Sequence, residues 1–349
     1  MDTMKIEIIT TMNEDLKETG FGTIKACDSV FNSINKINHS VELNICQTIE
    51  DLNAVVKRKP DLVILAVKYI ITENKKTIWL SEFFAKNEIN FSGSSKGTLM
   101  FDSNKVLAKS YLKNHGISTA RYFTAIPEEY KRDHDLPMGY PLFLKPSDAA
   151  NGNGIDDLSF VNNFAEFESK VLSLYNFYKL PILVEEYIDG KEFTVAILKT
   201  KGGDLLVSAI EIVPPESNNG LRILGSKVKM GDTEKLKKIE NNIMKDRVKK
   251  LAIDVYIDLG ARDYARIDIK SNKNGQCFFM EVNLVPGMTS GSSYFPKAFE
   301  IDLGLSYEEV VETIVDEGTS RVPLNNSTIK EVDISAITST YTDVLAPAI

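Results

Sequence analysis

Cysteine, histidine and long apolar runs are all scarce in this sequence. Its 349 residues include three cysteines and three histidines. An odd number of widely separated cysteines fits neither a disulfide framework nor a clustered zinc site, and it favours a reducing, cytoplasmic compartment. No stretch approaches the roughly 18 consecutive apolar residues of a membrane span. Residues 1–15 also lack the pattern of a signal peptide. We therefore expect no membrane segment.

Positive charge is also in deficit. Lysine and arginine number 41 against 49 aspartates and glutamates, which gives a net charge of −8. Such a field repels a phosphate backbone, so we expect no nucleic-acid partner. The hydrophobic share of 43% and the charged share of 26% are those of a folded globular protein. At about 150 residues per domain, the length predicts two or three domains.

The first part of the chain alternates short β-branched runs with segments of helical spacing. Residues 4–10 and 61–67 have the pattern of strands, whereas residues 22–37 place apolar side chains at helical spacing. This alternation predicts a small parallel α/β domain. We place its end near residue 97, which makes residues 1–97 the N-terminal domain.

The rest of the chain is dominated by strand patterns with helices between them. A boundary near residue 180 divides it into a central α+β domain, 98–180, and a C-terminal domain, 181–324. Strand runs in the C-terminal domain are residues 182–187, 192–199, 205–213, 264–270 and 276–283. One long helical pattern, 233–259, lies among them, and this order predicts antiparallel pairing. Residues 325–349 are predicted to form an extended or mobile tail.

The most informative local pattern is a hairpin over ARIDIKSNKNGQCFFMEVN, residues 265–283. Asn-Gly at 274–275 between two alternating runs predicts a type I′ turn, which needs a positive φ at both central residues. If those two residues are the whole loop, Asp268 lies opposite Glu281 and Arg266 lies opposite Asn283. The four side chains then share one face of the sheet, because side chains alternate along a strand.

Two directly opposed carboxylates repel each other, so this hairpin predicts a bound cation. A donor set of Asp268, Glu281 and Asn283 contains only oxygen donors, which suits a hard ion that keeps waters and shares phosphate oxygens. The predicted ion is therefore Mg²⁺. The alternative is a solvated polar face with a register slipped by one or more residues.

Two loops have the composition of anion-binding loops. Lys145 closes a strand, and the loop SDAANGNGI after it carries glycines that let backbone amides approach phosphates. The loop LVPGMTSGSS, residues 284–293, leaves the strand that carries Glu281. The loop after Lys145 matches neither the Walker A nor the G-x-G-x-x-G pattern, and the alternative is that both loops are ordinary ones.

Four blocks, taken in order, resemble the ATP-grasp carboxylate-amine ligases and, within them, the D-alanine:D-alanine ligases. The blocks are residues 103–119, 140–155, 182–198 and 264–293. The likeness covers roughly residues 97–320 and is far more specific than any single block. It implies an ATP-grasp fold in which ATP lies between the central and C-terminal domains. It also implies an ADP-forming ligase with ATP and two Mg²⁺ ions, Mn²⁺ being the alternative ion. Its partners would be small amino-acid substrates, and dimers are common in the family, which points to a homodimer.

The resemblance also implies roles for nucleotide-binding residues. Lys105 and Lys145 match the lysines that hold ATP phosphates. Glu185 matches the acid that accepts the adenine amino group, and the backbone of Tyr187 and Ile188 matches the segment that contacts the ring edge. The residue that matches the ribose-binding acid is Glu192.

Further implied roles concern the reaction itself. Lys227, in GSKVKMGD, matches a lysine of the mobile loop, here residues 214–232, that reaches the γ-phosphate. Arg266 matches the arginine that stabilises the oxyanion, and Ser292 matches the hydroxyl that receives the carboxylate of the attacking amino acid. The matched metal ligands are Asp268, Glu281 and Asn283.

The chain departs from the D-alanine ligases around the acyl substrate. Residues 65–80, LAVKYIITENKKTIWL, lack the His-Gly…Gly-Glu-Asp-Gly stretch of that family. Asn151-Gly152 stands in place of a serine pair, Val228 replaces a tyrosine, and Glu18 is the uncertain match to an N-terminal glutamate. Lys68 lies in the changed stretch, and we interpret it as a contact for a substrate carboxylate.

These differences favour an amide-forming ligase of altered specificity, acting on another amino acid or carboxylate. Three alternatives remain open at this point. The chain could be a true D-alanine:D-alanine ligase, a catalytically inactive ATP-binding regulatory protein, or a ligase that acts on a peptide terminus. Retention of Arg266, which serves the reaction rather than ATP affinity, argues against the inactive alternative.

Overall fold

The computed structural model describes residues 3–12, 21, 23–149, 152–217 and 220–321. The predicted tail, 325–349, lies outside the described residues, as do Glu18 and Asn151. Three main sheets organise the rest of the chain, one parallel and two antiparallel. None of the helices in these ranges combines the length and the apolarity that crossing a bilayer requires.

The N-terminal unit is a parallel three-stranded sheet, as the sequence predicted. Its strand order is β2-β1-β3. The elements are β1 (Lys5–Thr10), α1 (Ile24–Lys36), β2 (Ser40–Ile45), α2 (Ile49–Arg58) and β3 (Leu62–Leu65). Thr48 and Asp51 form a capping box that starts α2. A short hairpin and a helix follow: β4 (Tyr69–Ile71), β5 (Thr77–Trp79) and α3 (Leu80–Lys86).

The second sheet is antiparallel and has the order β6-β9-β7-β8. Two helices precede it, α4 (Lys96–Ser103) and α5 (Lys105–Asn114). Its elements are β6 (Tyr122–Ala125), β7 (Leu142–Pro146), β8 (Phe160–Val161), α6 (Phe164–Tyr178) and β9 (Ile182–Glu186). The predicted boundary near residue 180 cuts through this sheet, because β9 pairs with both β6 and β7. Strand composition alone does not reveal the partner of a strand.

The third sheet is antiparallel, with the order β12-β11-β10-β13-β14. Its strands are β10 (Glu192–Lys199), β11 (Leu205–Val213), β12 (Lys235–Lys238), β13 (Tyr264–Ser271) and β14 (Cys277–Asn283). The helices of this region are α7 (Ser226–Gly231), α8 (Asn242–Asp258), α9 (Tyr294–Leu303) and α10 (Tyr307–Thr319). The helix predicted over 233–259 is wrong at its start. β12 occupies that part, and the helix begins only after Asn241, whose side chain accepts the Met244 amide.

One large hydrophobic core joins the first and third sheets. Helix α10 packs against α1 and β3 on one side and against α9 and β10 on the other. The second sheet has a separate core, in which α6 covers it with Phe167, Val171 and Leu174. The second and third sheets face each other across the cavity described below.

Candidate active site

The hairpin turn between β13 and β14 differs from the prediction. Asn272 pairs with Gln276, whose carbonyl accepts the Asn272 amide at 2.9 Å, so the loop has three residues, 273–275. Gly275 has a φ of +77°, whereas Asn274 does not adopt a positive φ. The predicted two-residue type I′ turn is therefore wrong. The longer loop shifts the register of the strand pairs next to the turn by one residue relative to the predicted register.

A β-bulge farther along β14 moves the pairing back. Ile269 pairs with Phe279, but Asp268 pairs with Glu281, so Met280 is the extra residue. Beyond the bulge, Asp268 lies opposite Glu281, and Arg266 lies opposite Asn283. The predicted pairs are confirmed, although the turn that was used to derive them is wrong.

Each of the two opposed carboxylates already has a basic partner. Arg266 donates from Nε and Nη2 to the two oxygens of Asp268, both at 3.1 Å, and Lys105 Nζ lies 3.6 Å from Glu281. Thr194 Oγ1 donates to Asp268 at 2.7 Å. Carboxylate repulsion alone therefore does not demand a metal ion, and this step of the prediction is corrected.

The charge around Glu281 is strongly positive. Burial raises the pKa of a carboxyl, but here the charges of Lys105, Lys229, Lys145 and Arg266 outweigh burial and hold the pKa of Glu281 well below its usual range. Arg266 and Lys145 also pair with Asp268 and Glu185, so the cavity as a whole has no excess of positive charge. Its lysine ammonium groups can nevertheless donate charge-assisted hydrogen bonds to a triphosphate.

A cavity of about 800 Å³ lies between the second and third sheets. The charged side chains of its lining are Lys105, Lys145, Glu185, Glu186, Glu192, Lys229, Asp268, Lys270 and Glu281. Its lining also includes apolar side chains, among them Phe143, Ile155, Ile188, Ile223, Leu224 and Met280. A lining that offers both kinds of side chain meets the needs of a nucleotide, which has a polyphosphate and a flat base.

The structure brings most of the predicted site residues into this cavity. Its lining includes Lys105, Lys145, Glu185, Tyr187, Ile188, Glu192, Asp268 and Glu281. Asn283 lines an adjoining cavity of about 340 Å³, together with Lys105, Asp102 and Glu281. Burial raises the pKa of Glu192, although the charges of Lys270 and Lys229 oppose it.

Arg266 lies beside Asp268 rather than in the lining of either cavity. Its guanidinium carbon is 5.6 Å from the centre of the Tyr294 ring, and the Tyr294 hydroxyl donates to Glu234. Because Glu234 directly precedes β12, this contact joins the end of the loop at 214–232 to α9. Ser292 is exposed on the loop before α9.

Helix α7, within the loop at 214–232, presents a different lysine to the cavity from the predicted one. Lys227 is exposed, whereas Lys229 lines the large cavity. Gly225, just before α7, packs directly on the backbone of the loop after β7. A Cβ on Gly225 would overlap the carbonyl of Ile155, and one on Gly152 would stand 3.1 Å from the Gly225 carbonyl carbon. The two loops thus close one side of the cavity through backbone contact.

Two lysines at or behind the cavity were not found from the sequence, and a third lysine has a different contact from the predicted one. Lys229 is one of two nearby lysines on a short helix, and the pattern did not distinguish them. Lys109 is fully buried behind the cavity; its position four residues after Lys105 puts both on one helix face, which was an available indication. Lys68 is buried against Asp102 at 3.0 Å, so its predicted contact with a substrate carboxylate gives way to an internal ion pair.

The residues present fit a hard divalent cation. Among the described residues, no three His, Cys, Asp or Glu side chains are grouped to hold a metal, so the donor set is two carboxylates and one amide. Asn283 Nδ2 is buried without a hydrogen-bond partner, and Asn283 shares the smaller cavity with Glu281. Nδ2 is a hydrogen-bond donor and does not bind a cation, so the amide oxygen of Asn283 would complete, with the two carboxylates, an oxygen set of the kind that Mg²⁺ prefers.

Comparison with known proteins gives consistent matches. The family model described as "D-ala D-ala ligase C-terminus" matches residues 111–316, more than half of the chain. A D-alanine--D-alanine ligase of Marinomonas sp. is 29% identical over 291 residues, covering 82% of this chain and 87% of that protein. D-alanine--D-alanine ligase B of Clostridium perfringens is 27% identical, covering 84% of this chain and 92% of the relative.

Solved structures show the same fold. A D-alanine--D-alanine ligase from Bacillus anthracis, complexed with ATP, matches with a TM-score of 0.71 at 23% identity, over 92% of this chain and 99% of that one. The VanG D-Ala:D-Ser ligase from Enterococcus faecalis matches with a TM-score of 0.68 at 20% identity, over 90% and 99% of the two chains. The ATP-grasp fold that the sequence resemblance implied is confirmed.

Proposed function

Because the chain belongs to the D-alanine--D-alanine ligase family and is an ATP-grasp, ADP-forming ligase, we propose that it joins two molecules of D-alanine. The names of its relatives favour this function over the altered specificity that the sequence favoured. The observation that carries the proposal is the cavity between the two antiparallel sheets, where two lysines and two opposed acids meet. Two amino acids and one ATP are the substrates, and a homodimer is the proposed assembly.

In this proposal the nucleotide lies along the large cavity. Lys105 and Lys145 bind the phosphates, and Glu185 accepts a hydrogen bond from the adenine amino group. Glu192 binds the ribose. Lys105 is suited to its role because its ammonium donates to the Ala149 carbonyl at 2.6 Å, which fixes it against the loop after β7. The edge of the adenine ring would meet the backbone of residues 187–188, near apolar lining residues such as Ile223 and Met280.

A divalent metal would be held by Asp268, Glu281 and Asn283, and it would supply positive charge to the triphosphate. The proposal includes two Mg²⁺ ions, for which Mn²⁺ can substitute. The protein's own cations supplement that charge, since Lys105, Lys145 and Lys229 all act on the same part of the cavity. We assign the γ-phosphate contact to the α7 lysines, Lys227 by sequence resemblance and Lys229 by position.

A carboxylate is a poor acyl donor, so the reaction proceeds through phosphoryl transfer. The first D-alanine carboxylate takes the γ-phosphoryl group of ATP, which leaves ADP and an acyl phosphate. The amine of the second D-alanine then attacks the acyl carbon and phosphate departs. Arg266 stabilises the oxyanion, and Ser292 binds the carboxylate of the attacking molecule. Closure of 214–232 over the cavity would protect the acyl phosphate from water.

A second candidate is a ligase of the same mechanism with a different amino acid in one position. The favouring observation is the buried Lys68–Asp102 ion pair, because Asp102 also lines the smaller cavity beside Glu281. Lys68 belongs to the stretch that departs from the D-alanine ligases. A remodelled wall at this position would change which acyl substrate fits.

One experiment separates these candidates. The purified chain is incubated with ATP, Mg²⁺ and D-alanine, L-alanine, D-serine or D-lactate, alone and in pairs. ADP release and the mass of the product are then measured. D-alanyl-D-alanine as the main product supports the proposal, and a different amide supports the second candidate. ATP binding without turnover on any substrate contradicts both and favours a regulatory protein.

A further inference from the structure

The ammonium group of Lys109 is buried where three parts of the fold meet. It extends from α5, and its side chain is 0% exposed. Its Nζ lies 2.5 Å from Glu185 Oε1 on β9, and it donates to Thr119 Oγ1 at 2.8 Å and to the Phe279 carbonyl of β14 at 3.2 Å. One cation thus connects α5 to β9, an inner strand of the second sheet, and to β14, an edge strand of the third.

Glu185 links this buried cation to the nucleotide cavity. Its second oxygen, Oε2, lies 2.7 Å from Lys145 Nζ, and both Glu185 and Lys145 line the cavity, whereas Lys109 does not. Each oxygen of an ionised carboxylate can accept more than one hydrogen bond, so both oxygens keep acceptor capacity beside these two ion pairs. Glu185 is fully buried and is therefore a preorganised acceptor for a donor that enters the cavity.

Burial of this cluster of three charged groups costs free energy that a purely structural contact would not require. Burying two ammonium groups and one carboxylate loses several kcal/mol of hydration per ion, and a hydrophobic cluster of the same size is often as stable. The cluster also keeps one excess positive charge. Lys145 can direct that charge to an anion in the cavity, but Lys109 cannot, because it lies behind Glu185.

We propose that Lys109 is a positioning residue of the nucleotide site: it keeps Glu185 a charged, acceptor-only group that selects a base with an amino donor at the six-position. This inference rests on the proposed binding of ATP in the large cavity. Adenine presents an amino donor at the six-position of the ring, whereas guanine presents a carbonyl there. An ionised carboxylate accepts from the first and repels the second.

Two opposing effects determine whether the Glu185 carboxyl is ionised. Burial raises the pKa of this carboxyl, and the charges of Lys109 and Lys145 outweigh burial and hold the pKa below its usual value. Lys105 of α5 and Glu281 of β14 line the same cavity as Glu185. On β6, the residue that pairs with Glu185 is Tyr122. Without Lys109, burial is opposed by Lys145 alone, so the carboxyl takes up a proton at a higher pH. A protonated carboxyl can donate to the guanine carbonyl.

The test uses the full chain and measures binding of ATP and GTP by calorimetry without any amino acid. Lys109→Met should weaken ATP binding and lower the ATP-to-GTP affinity ratio by about tenfold each. Burial lowers the pKa of Lys109 to about 8, so this lysine is mostly charged at pH 7 and below. The ratio should fall further between pH 7 and pH 6 in this variant and stay level in the parent chain. The matched control is Lys170→Met, which removes another buried lysine, paired with Asp156 at 2.7 Å but outside the cavity lining. It should leave both values unchanged.

Thr119→Val provides a second variant if Lys109→Met does not fold. It removes one hydrogen bond from the Lys109 ammonium but keeps the charge. It should therefore lower the ATP-to-GTP affinity ratio by a smaller factor than Lys109→Met does. A folded Lys109→Met chain whose ATP affinity and ATP-to-GTP affinity ratio are both unchanged overturns the inference. If Lys109→Met does not fold, an unchanged ATP-to-GTP affinity ratio in Thr119→Val overturns it. Absence of dipeptide synthesis with ATP bound refutes only the proposed function. Absence of ATP binding by the parent chain refutes both.

Discussion

Asp268 and Glu281 face each other across β13 and β14 because two one-residue irregularities of the hairpin cancel. The three-residue loop moves the pairing one way, and the bulge at Met280 moves it back. The bulge also lets Phe279 and Val282, three residues apart, both face the core. Glu281 and Asn283 are thereby placed on the cavity side, where a regular strand that keeps Phe279 buried would turn them away.

Replacing Glu281 with Gln should reduce turnover on the order of 100-fold at saturating Mg²⁺, because it removes a metal-binding carboxylate. Steady-state ADP release over a magnesium titration checks this. Glu211→Gln is the control, since Glu211 pairs with Lys191 on the third sheet outside the cavity lining. Undiminished turnover of the Glu281 variant would reject the metal assignment.

The same Glu281→Gln variant should have a lower unfolding temperature at neutral pH. Nearby cations hold the pKa of Glu281 below its usual value, so its ionised form stabilises the folded state. For a carboxyl with a lowered pKa, this contribution is present above the unfolded-state pKa and is lost as the pH falls below about 4. Thermal unfolding of both chains should therefore differ at pH 7 and converge in acid. A more stable variant at pH 7 would show that the nearby cations do not stabilise the ionised form of Glu281.

Replacing Arg266 with Ala should slow the chemical step about 100- to 1,000-fold and leave the KM for ATP nearly unchanged, because an oxyanion contact acts only in the transition state. Steady-state kinetics with varied ATP and varied amino acid measure the two effects. Arg121→Ala removes an exposed arginine that pairs with Glu186 and serves as the control. Equal losses in kcat and in ATP affinity would argue against the oxyanion role.

Replacing Gly225 with Ala should raise the KM for ATP on the order of tenfold, because the new Cβ overlaps the Ile155 carbonyl and separates the two loops that close the cavity. Gly225 has a φ of −90°, so the close approach and not the backbone angle requires glycine here. Gly139→Ala is the control, since nothing lies within 4 Å of its Cβ position. Nucleotide titration checks both variants, and identical ATP affinities would show that the contact does not matter.

Replacing Lys68 with Met should destabilise the fold by about 2 kcal/mol, because it leaves the largely buried Asp102 without its cation, although Asp102 still accepts the Leu284 amide. Adding Asp102→Asn should restore part of that loss, and denaturant unfolding of the three variants measures the coupling. Lys86→Met is the control, as its exposed pair with Glu82 contributes little. If Lys68 instead binds substrate, the single variant keeps its stability and loses affinity for the amino acid.

Particular residues show how far the sequence could predict the site. The facing of the two opposed acids was predictable, because both lie in strand runs whose alternation shows which side chains share a face. Lys145 was indicated by the glycine-rich loop after its strand, whereas Lys105, at the start of helix α5, and Glu192 were assigned only through the family resemblance. The position of β9 was not predictable, because β6 and β7, its partners, precede it by many residues, and strand composition does not encode a partner. Lys229 and Lys227 could not be ranked either, since the orientation of α7 depends on the packing of Gly225 against another loop.

By itself, the sequence determined which chemical groups this protein carries and the local faces on which they lie, since side-chain periodicity follows from backbone geometry. Only the tertiary structure decided which of those faces meet. It placed Lys109 behind Glu185, paired Lys68 with Asp102, and assigned cations to both opposed acids. Contacts between distant segments depend on how whole sheets and helices pack, and no short stretch of sequence contains that information.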